Sequence, residues 1–482
     1  MSTTVTLRGS RSVAVARPTE AFWLTVALSW LLLWLPLQTP VAMLAYQYGG
    51  LTVGPVRAIL LLKDLVVPAL LLWLAVRHLG QLRLRWFDWA AIAYVGLVGL
   101  YSIVPWLVGS KLPFLAVAAS ARIFVLPAEL YALGRLASLA GISIRLIVIV
   151  FLAASAAAAL FAVVQYVVLP PSFWLATMDL PRFIRDIQGL PGAMTLWDIS
   201  VLGAYGAGEG GQFIRAIGPF THPVGAGHYF VLPLLLSVAA AFSARQRNAR
   251  WRSTVLYLAL AILFAAAVIT TISRGSWIAA GLGVLLVGVL YRRVLITLVA
   301  LAAVGLFLAV VPPFSLSISS ALSASDSSVV AHGTAIEKGI ETVTQNPFGL
   351  GVGQGDQPGF AFGGEEGAAG VGENMYLSLL VTVGPLGLVA FLAWFLGMGW
   401  TLFTSLRKSR HWLVVGTLAA LIGYGASAAT ASPLMRFTTS AHFWLLLGLV
   451  IAGIPPRRGS QDSVSLETEP VSWPTDASPG RS

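Results

Sequence analysis

Residues 145–168 read RLIVIVFLAASAAAALFAVVQYVV, a run whose single charge is its first residue. About 20 consecutive apolar residues are enough for a helix to cross the hydrocarbon core of a bilayer. A backbone in lipid has to satisfy its own hydrogen bonds, and a helix does so within one segment. The run therefore predicts a membrane-spanning helix.

Similar apolar runs recur from one end of the chain to the other. Hydrophobic residues make up 57% of the sequence and charged residues 10%, and the runs are too long for the strands of a membrane barrel. We predict an all-α polytopic membrane protein with about 12 transmembrane helices. The predicted spans are 21–47, 56–76, 89–108, 113–133, 145–168, 222–243, 253–271, 276–290, 294–312, 373–404, 412–430 and 438–454.

Basic residues occur in every second connection between these spans. Cytoplasmic loops of membrane proteins carry an excess of lysine and arginine, so the alternation predicts that both termini are cytoplasmic. It also accounts for the net charge of +11 without a nucleic-acid partner. The basic positions are Arg8, Arg11 and Arg17, then Arg77, Arg83 and Arg85, Arg135 and Arg145, Arg245, Arg247, Arg250 and Arg252, Arg292 and Arg293, Arg407, Lys408 and Arg410, and Arg457 and Arg458.

Three regions follow from this pattern. We predict a basic cytoplasmic N-terminus over 1–20, a transmembrane domain over 21–454, and a disordered cytoplasmic tail over 455–482 that is rich in Ser, Pro and acidic residues. The chain has no cysteine, which excludes disulfides and thiol catalysis. The spacing of His222 and His228 matches no common metal set, and there is no P-loop, so we expect neither a metal nor a nucleotide cofactor.

The face opposite the basic loops carries two long loops, about 169–221 and 313–372. Arg215 lies at the end of the first, in the stretch RAIGPFTHPVGAG that contains Gly218 and Pro223. Its planar guanidinium suits a phosphate or diphosphate, because it donates two charge-assisted hydrogen bonds. The alternative is an interfacial arginine that reaches the phosphates of ordinary lipids.

Two further arginines are predicted on this face, in short turns. Arg274 lies in TISRGSW, residues 271–277, where hydroxyl groups and a helix N-terminus favour anions. A helix cap followed by a Trp interface anchor explains the same residues equally well. Arg436 lies in the turn before the last span.

The second long loop has a helical segment followed by glycines. His332 to Glu341 has helical spacing, Asn346 and Pro347 end the helix, and a turn follows with glycines at 351, 353 and 355. His332 is a candidate base or ligand, although a lone loop histidine is more often solvated.

Glu373 and Asn374 come where the next apolar run begins, two residues before Tyr376. A carboxylate at the membrane boundary suits a general base, and it also suits the start of any helix.

Three charges fall inside predicted spans: Lys63, Asp64 and Arg122. Charges at that depth usually face a cavity or one another. We interpret Lys63 and Asp64 as a structural pair and place Arg122 in the cavity of Arg215, with Glu129 as a possible partner.

Together these motifs resemble the O-antigen polymerase and ligase proteins. The resemblance is strongest over 210–390, and the order of the motifs and the twelve-span layout also agree. It is carried by Arg215, Gly218, Phe220 and Pro223, by Ser273, Arg274 and Gly275, by Asn346, Pro347, Gly349, Gly351 and Gly353, and by Glu373, Asn374, Tyr376, Leu377 and Gly384.

The resemblance implies a metal-independent membrane glycosyltransferase of the C type, whose donor is a polyprenyl-diphosphate-linked glycan. It implies that Arg215 and Arg274 bind the diphosphate and that Glu373 is the base on the acceptor hydroxyl. Ligases usually have histidine at that position, so Glu373 favours a polymerase. His332 is carried over as a binding candidate.

The expected partners are the lipid-linked donor, a glycan or lipid acceptor, and the chain-length regulator and flippase of a bacterial cytoplasmic membrane. A ligase with a lipid or protein acceptor remains an alternative. A transporter or flippase would predict inverted repeats and polar groups at the midplane. A cell-shape glycan polymerase would carry a different acidic loop motif, and a scaffold would leave the arginines unexplained.

Overall fold

The structure is a computed structural model that describes residues 18–107, 109–169, 173, 177–188, 215–246, 251–322, 327–354, 374–408 and 410–455. Over these residues the secondary structure is helical and contains no β-strand, which confirms the all-α prediction. In chain order the helices are α1 (Pro18–Gln47), α2 (Val53–His78), α3 (Trp86–Tyr101), α4 (Val104–Leu107), α5 (Phe114–Leu139), α6 (Ile144–Val167), α7 (Leu180–Gln188), α8 (Pro223–Gln246), α9 (Trp251–Thr270), α10 (Arg274–Leu290), α11 (Val294–Val310), α12 (Pro312–Leu322), α13 (Ser327–Gln345), α14 (Met375–Ser405), α15 (Trp412–Ser427) and α16 (Phe437–Ala452).

Eight apolar helical segments in the described part of the chain are long enough to cross a membrane: α1, α2, α3 with α4, α5, α6, α8, α9 and α14. They establish a polytopic helical membrane protein. Four shorter apolar helices, α10, α11, α15 and α16, lie where the remaining four spans are predicted. The count of twelve therefore stays a prediction, as do the N-terminal and C-terminal regions, which lie outside the described residues.

The most buried of the eight long segments is α8, which packs against α6, α9, α10, α15 and α16. Another close pair is α5 and α16. Gly134 on α5 faces Gly448 on α16, and a Cβ on either residue would overlap the backbone of the other helix. Small residues at such a crossing allow two membrane helices to bring their backbones into contact.

A buried ion pair joins α3 to α5 at one end of the bundle. Arg135 Nη1 lies 2.9 Å from Asp88 Oδ1, and the Tyr131 hydroxyl donates to the same carboxylate oxygen at 2.7 Å. Arg135 Nη2 also donates to the Arg83 carbonyl at 3.0 Å. A buried charge is tolerated when it is paired and hydrogen-bonded. The contact also brings together Arg83 and Arg135, which belong to two of the predicted basic connections.

Further contacts at helix ends link loops of the same basic set. Arg85 Nη2 donates to the Ile451 carbonyl at 3.1 Å, at the C-terminal end of α16. Arg410 Nη1 donates to the Leu290 carbonyl at 2.6 Å, at the end of α10. These contacts agree with the alternation of basic loops, because connections predicted to share a side lie together. The side that faces the cytoplasm stays a prediction.

The second long loop contains two helices, α12 and α13. The helix predicted over 332–341 is confirmed as part of α13, which ends immediately before Asn346. Val343 packs with Leu377 and Val381 of α14. Residues 355–373 are outside the described part of the chain, and so are Gly355 and Glu373.

Helix α14 is broken at Gly384, where φ is +72° and ψ is −179°. Pro385 follows and has no N–H to donate, so the carbonyls of the preceding turn lose their helical partners. The glycine loop replaces them. Leu350 N donates to the Val381 carbonyl at 2.7 Å and Gly351 N donates to the Thr382 carbonyl at 3.2 Å.

The loop is held close to the break from both sides. Gly349, with φ of +88°, would place a Cβ 2.8 Å from Gly384 N, and a Cβ on Gly384 would overlap the Phe348 carbonyl oxygen. The Tyr101 hydroxyl donates to that carbonyl at 2.6 Å. The conformation at Gly384 is one that only glycine adopts readily, and the approach leaves no space for a side chain.

We expect Gly384→Ala to destabilise the protein by about 2 kcal/mol or more, because it adds backbone strain to a steric overlap. Thermal unfolding of the purified protein in detergent measures the loss. Gly281→Ala on α10 is the control, since a Cβ there meets nothing within 4 Å. Equal unfolding temperatures for the two variants would contradict the account of the break.

Candidate functional site

The segment that carries Arg215 docks onto the turn between α9 and α10. Arg215 Nε donates to the Thr271 carbonyl at 3.1 Å, and Ala216 N donates to the Thr270 carbonyl at 2.9 Å. Arg215 is buried, with 6% of its surface exposed. Two motifs that are 56 residues apart along the chain are therefore parts of one site.

Gln165 on α6 holds the next two residues of this segment. Its Oε1 accepts from Ile217 N at 3.0 Å and from Gly218 N at 2.7 Å. The side chain is completely buried, and Gly218 packs against Ala162 one helical turn earlier on α6. One amide thus satisfies two backbone donors that would otherwise be buried without acceptors.

Sequence reasoning missed Gln165. A signal was present, because a buried amide in an apolar membrane helix is expensive and is retained for a purpose. The sequence does not show which groups Gln165 binds, since Ile217 lies 52 residues away.

His222 lies between two arginines of the site. Burial lowers the pKa of His222 well below its usual range, and the positive charges of Arg436 and Arg215 lower it further. Its Nδ1 accepts from Val224 N at 3.1 Å. His222 is therefore neutral, and the arginines from the first long loop and from the α15–α16 turn lie on the same patch.

Arg274 is the first residue of α10 and is half-buried. Its Nη1 donates to the Ser317 carbonyl of α12 at 3.3 Å. The following residue, Gly275, faces Thr430 of the α15–α16 turn and His228 of α8. The N-terminus of α10 thus faces the same patch as Arg436, with its positive dipole end directed there.

Asn374 and Tyr376 place the start of α14 beside this turn. Asn374 caps the helix, with Oδ1 accepting from Leu377 N at 3.1 Å. Met375 N donates to the Ala428 carbonyl at 2.9 Å, and the Tyr376 hydroxyl donates to the Gly425 carbonyl at 2.6 Å. Glu373 is outside the described residues, but Asn374, the next residue along the chain, is fixed at the C-terminal end of α15.

Pro223 is the first residue of α8 and is buried, which places the helix start directly after His222. Proline is favoured at this position because the first helical N–H has no partner within the helix. The supporting residues Gly218, Pro223, Asn374, Tyr376 and Arg436 therefore all lie on the segments that meet here.

Arg122 belongs to a neighbouring cluster. Its Nη2 lies 2.5 Å from Asp64 Oδ1, and Lys63 Nζ lies 3.5 Å from Asp64 Oδ2. The predicted Lys63–Asp64 pair is thus present, and Arg122 makes its ion pair with Asp64 on α2. The charge of Glu129 interacts with those of Arg122 and Asp64. Lys63 Nζ lies 5.1 Å from the centroid of the Phe437 ring, so the cluster adjoins Arg436.

His332 lies in the first half of α13 and is partly exposed. The hydrogen bonds described above that join the segments of Arg215 and Arg274 involve other residues. The C-terminal half of α13 packs on α14. Within the described residues, no three of the His, Asp and Glu side chains come together as they would around a metal ion.

Four chain segments therefore converge: 215–223, 271–277, 374–377 and 427–436. They bring Arg215, Arg274 and Arg436 to one end of the bundle, next to the half-buried His222 and the buried His228. Fixed cations in a site shielded from water bind a phosphate group strongly, because solvent screens them little.

One family comparison covers part of these segments. Residues 258–392 match a family model described as O-antigen ligase. The matched part includes the TISRGSW turn, the glycine loop and the break in α14. The match confirms the resemblance and supports assignment to the O-antigen polymerase and ligase family, with a role in the assembly of O-antigen or another surface polysaccharide. No curated protein matches the chain.

We expect Gln165→Leu to lower the stability of the protein by about 2 kcal/mol, because it leaves the N–H groups of residues 217 and 218 buried without an acceptor. Thermal unfolding in detergent provides the measurement. The matched control is Gln38→Leu on α1, which is also buried but bonds only within its own helix, to the Leu35 carbonyl. A similar loss in both variants would show that Gln165 has no special role in holding the segment.

Proposed function

We propose that the protein is a glycosyltransferase that uses a polyprenyl-diphosphate-linked oligosaccharide as donor and extends or transfers the glycan at the outer face of a bacterial cytoplasmic membrane. The polymerase reaction, in which the acceptor is a second lipid-linked glycan, is our first choice. Transfer to a lipid or protein acceptor by a ligase is the alternative.

The observation that carries the proposal is the convergence of three arginines at one end of a membrane-embedded bundle. The Arg215 segment is bonded to the turn that leads into Arg274, and His222 lies beside Arg215 and Arg436. A diphosphate attached to a lipid would reach this end laterally from the bilayer. Since the family assembles surface polysaccharide, the anion that fits best is the diphosphate of a lipid-linked glycan.

The reaction in this proposal is a displacement at the anomeric carbon. The acceptor hydroxyl oxygen forms a bond to this carbon as the bond from the carbon to the diphosphate oxygen breaks. The electron pair of the broken bond goes to the diphosphate, whose growing negative charge Arg215 and Arg274 stabilise. Such fixed charges stabilise the transition state without reorganisation during the reaction. We therefore expect no metal requirement.

Glu373 is the proposed base that takes the proton from the acceptor hydroxyl. Its support is the position of Asn374, which caps α14 beside the turn that carries Arg436. Glu373 is the neighbour of Asn374 along the chain. Arg122 and His332 have weaker support: the Asp64 ion pair neutralises Arg122, and His332 lies on a helix at the edge of the site.

A flippase is the second class to consider, because transporters often contain broken membrane helices. In α14, however, the glycine loop occupies the break and satisfies the Val381 and Thr382 carbonyls with its own N–H groups. These two carbonyls of the broken turn are therefore occupied by protein donors and are not open to coordinate a transported ion. This geometry favours the enzyme.

We expect Arg215→Ala and Arg274→Ala each to lower turnover at least about a hundredfold, because each removes a donor to the leaving group. The assay mixes purified protein with polyprenyl-diphosphate oligosaccharide and EDTA and resolves the products by size. A ladder of longer glycans indicates a polymerase, and transfer only after another acceptor is added indicates a ligase. Arg182→Ala on α7 is the control, since that side chain is about half exposed, at 52%, and pairs with Asp186 on the same helix. Full activity of either site variant would refute the diphosphate assignment.

For the base, we expect Glu373→Gln to be almost inactive while still binding the donor, because the amide cannot accept the proton. Glu373→His should keep part of the activity, since imidazole is also a base. Single-turnover rates compared with donor binding separate the two effects. If Glu373→Gln turns over normally, the base is another residue and His332 is the next to test.

A further inference from the structure

A small polar niche lies between α8, α10 and the α15–α16 turn, in front of Gly275. A Cβ on Gly275 would lie 3.1 Å from Thr430 Oγ1, 3.5 Å from His228 Cε1 and 3.7 Å from His228 Nε2. Two polar side chains therefore surround the place of a missing side chain, next to the N-terminus of α10.

His228 faces this niche with a defined tautomer. Its Nδ1 lies 2.8 Å from the Val224 carbonyl, which can only accept, so Nδ1 carries the hydrogen. Nε2 then presents a lone pair, and within the described residues it has no hydrogen-bond partner. The side chain is 1% exposed. A buried acceptor without a donor is costly, and the cost is removed by a donor or by a proton that Nε2 shares with a bound group.

The groups around His228 explain why it is neutral without a ligand. Arg436 acts on it through its charge from the α15–α16 turn, and His222 lies just before α8. From α15 the Tyr424 ring lies 6.4 Å away, and its hydroxyl donates to the His228 carbonyl. From α10 the neighbours are Gly275 and, beside it, Arg274. Burial, and then the positive charge of Arg436, disfavour a positive charge on the imidazole.

We propose that the niche binds one phosphate oxygen of the diphosphate and that His228 Nε2 is its hydrogen-bond partner, so that binding takes up one proton. This inference rests on the proposed function and deepens it. Two acceptors, Nε2 and a phosphate oxygen, cannot form a hydrogen bond unless a proton lies between them. The negative charge of the diphosphate offsets the charge of Arg436 and interacts favourably with a protonated imidazole, which lowers the cost of protonation.

The proton comes from solvent and stays between Nε2 and the phosphate oxygen for as long as the diphosphate is bound. When the glycan has been transferred, the same contact stabilises the released lipid diphosphate. Product release therefore returns the proton, and diphosphate affinity falls as the pH rises. His228 touches the leaving group and is in this sense a catalytic residue that the sequence motifs do not include.

The test is calorimetric titration of the full chain in detergent with farnesyl diphosphate, near neutral pH and in two buffers with different ionisation enthalpies. The difference between the buffers gives the number of protons taken up. We expect about one more proton for the wild type than for His228→Gln, because a glutamine amide can donate to the oxygen without protonation. We expect His228→Ala to bind about tenfold more weakly, as after loss of a charge-assisted hydrogen bond.

Gly275→Ala tests the niche while leaving His228 in place. Its Cβ would be 3.1 Å from the nearest atom, a contact that a small shift relieves, so we expect it to fold. It should bind farnesyl diphosphate more weakly and without the extra proton. Gly281→Ala, on the same helix and in open space, is the control and should match the wild type.

The outcomes separate this inference from the function on which it rests. If the wild type binds farnesyl diphosphate but His228→Gln takes up the same number of protons, the role of His228 is wrong and the diphosphate site stands. If Gly275→Ala binds as the wild type does, the niche is not the site of the oxygen. If the wild type does not bind, or Arg274→Ala binds equally well, the proposed function fails and this inference fails with it.

Discussion

The two hydrogen bonds from the glycine loop to the Val381 and Thr382 carbonyls are the contact on which the site depends. A membrane helix cannot leave backbone groups unsatisfied in lipid, so a break in α14 is possible only where protein supplies the missing donors. The loop supplies them, and the break in turn sets the direction of the first ten residues of α14. Asn374 therefore caps α14 beside the end of α15, where Met375 N donates to the Ala428 carbonyl.

Around Arg215, too, backbone N–H groups donate to acceptors from distant parts of the chain. An amide on α6 accepts from the N–H groups of Ile217 and Gly218, and the Thr270 carbonyl accepts from Ala216 N. The Thr271 carbonyl accepts from the Arg215 side chain. Extended chain at the edge of a membrane is thereby held as firmly as a helix. These contacts also hold the Arg215 guanidinium in place. A fixed guanidinium stabilises an anion better than one that has to be ordered on binding.

Much of this architecture could be predicted from the sequence. Apolar length identified the helices, Asn346 and Pro347 located the C-terminal end of α13, and the alternation of basic loops agreed with the loops that meet in space. The arginines were recognisable because charges near a membrane are expensive. The partners of Arg122 and the contacts of Gln165 were not predictable, since they join residues more than 50 positions apart.

The break in α14 could be predicted only in part. Gly384 and Pro385 indicate an interruption, but the sequence does not say what fills it. The glycine loop, in turn, is recognisable as a turn and not as a donor to a helix 30 residues later. His228 was visible only as half of a metal spacing, because its significance depends on a missing side chain at residue 275.

The glycine crossing of α5 and α16 has a consequence for how inactivating mutations are distributed. Gly448 lies 11 residues into a helix that starts directly after Arg436, so about 17 Å separates the crossing from the site. The two backbones are in contact at this crossing. A methyl group on Gly448 would push the helices apart there, tilt α16 and displace the end of α16 that follows Arg436. Genetic screens for loss of function should therefore recover substitutions deep in the bilayer, remote from any substrate, in a protein that still inserts and folds.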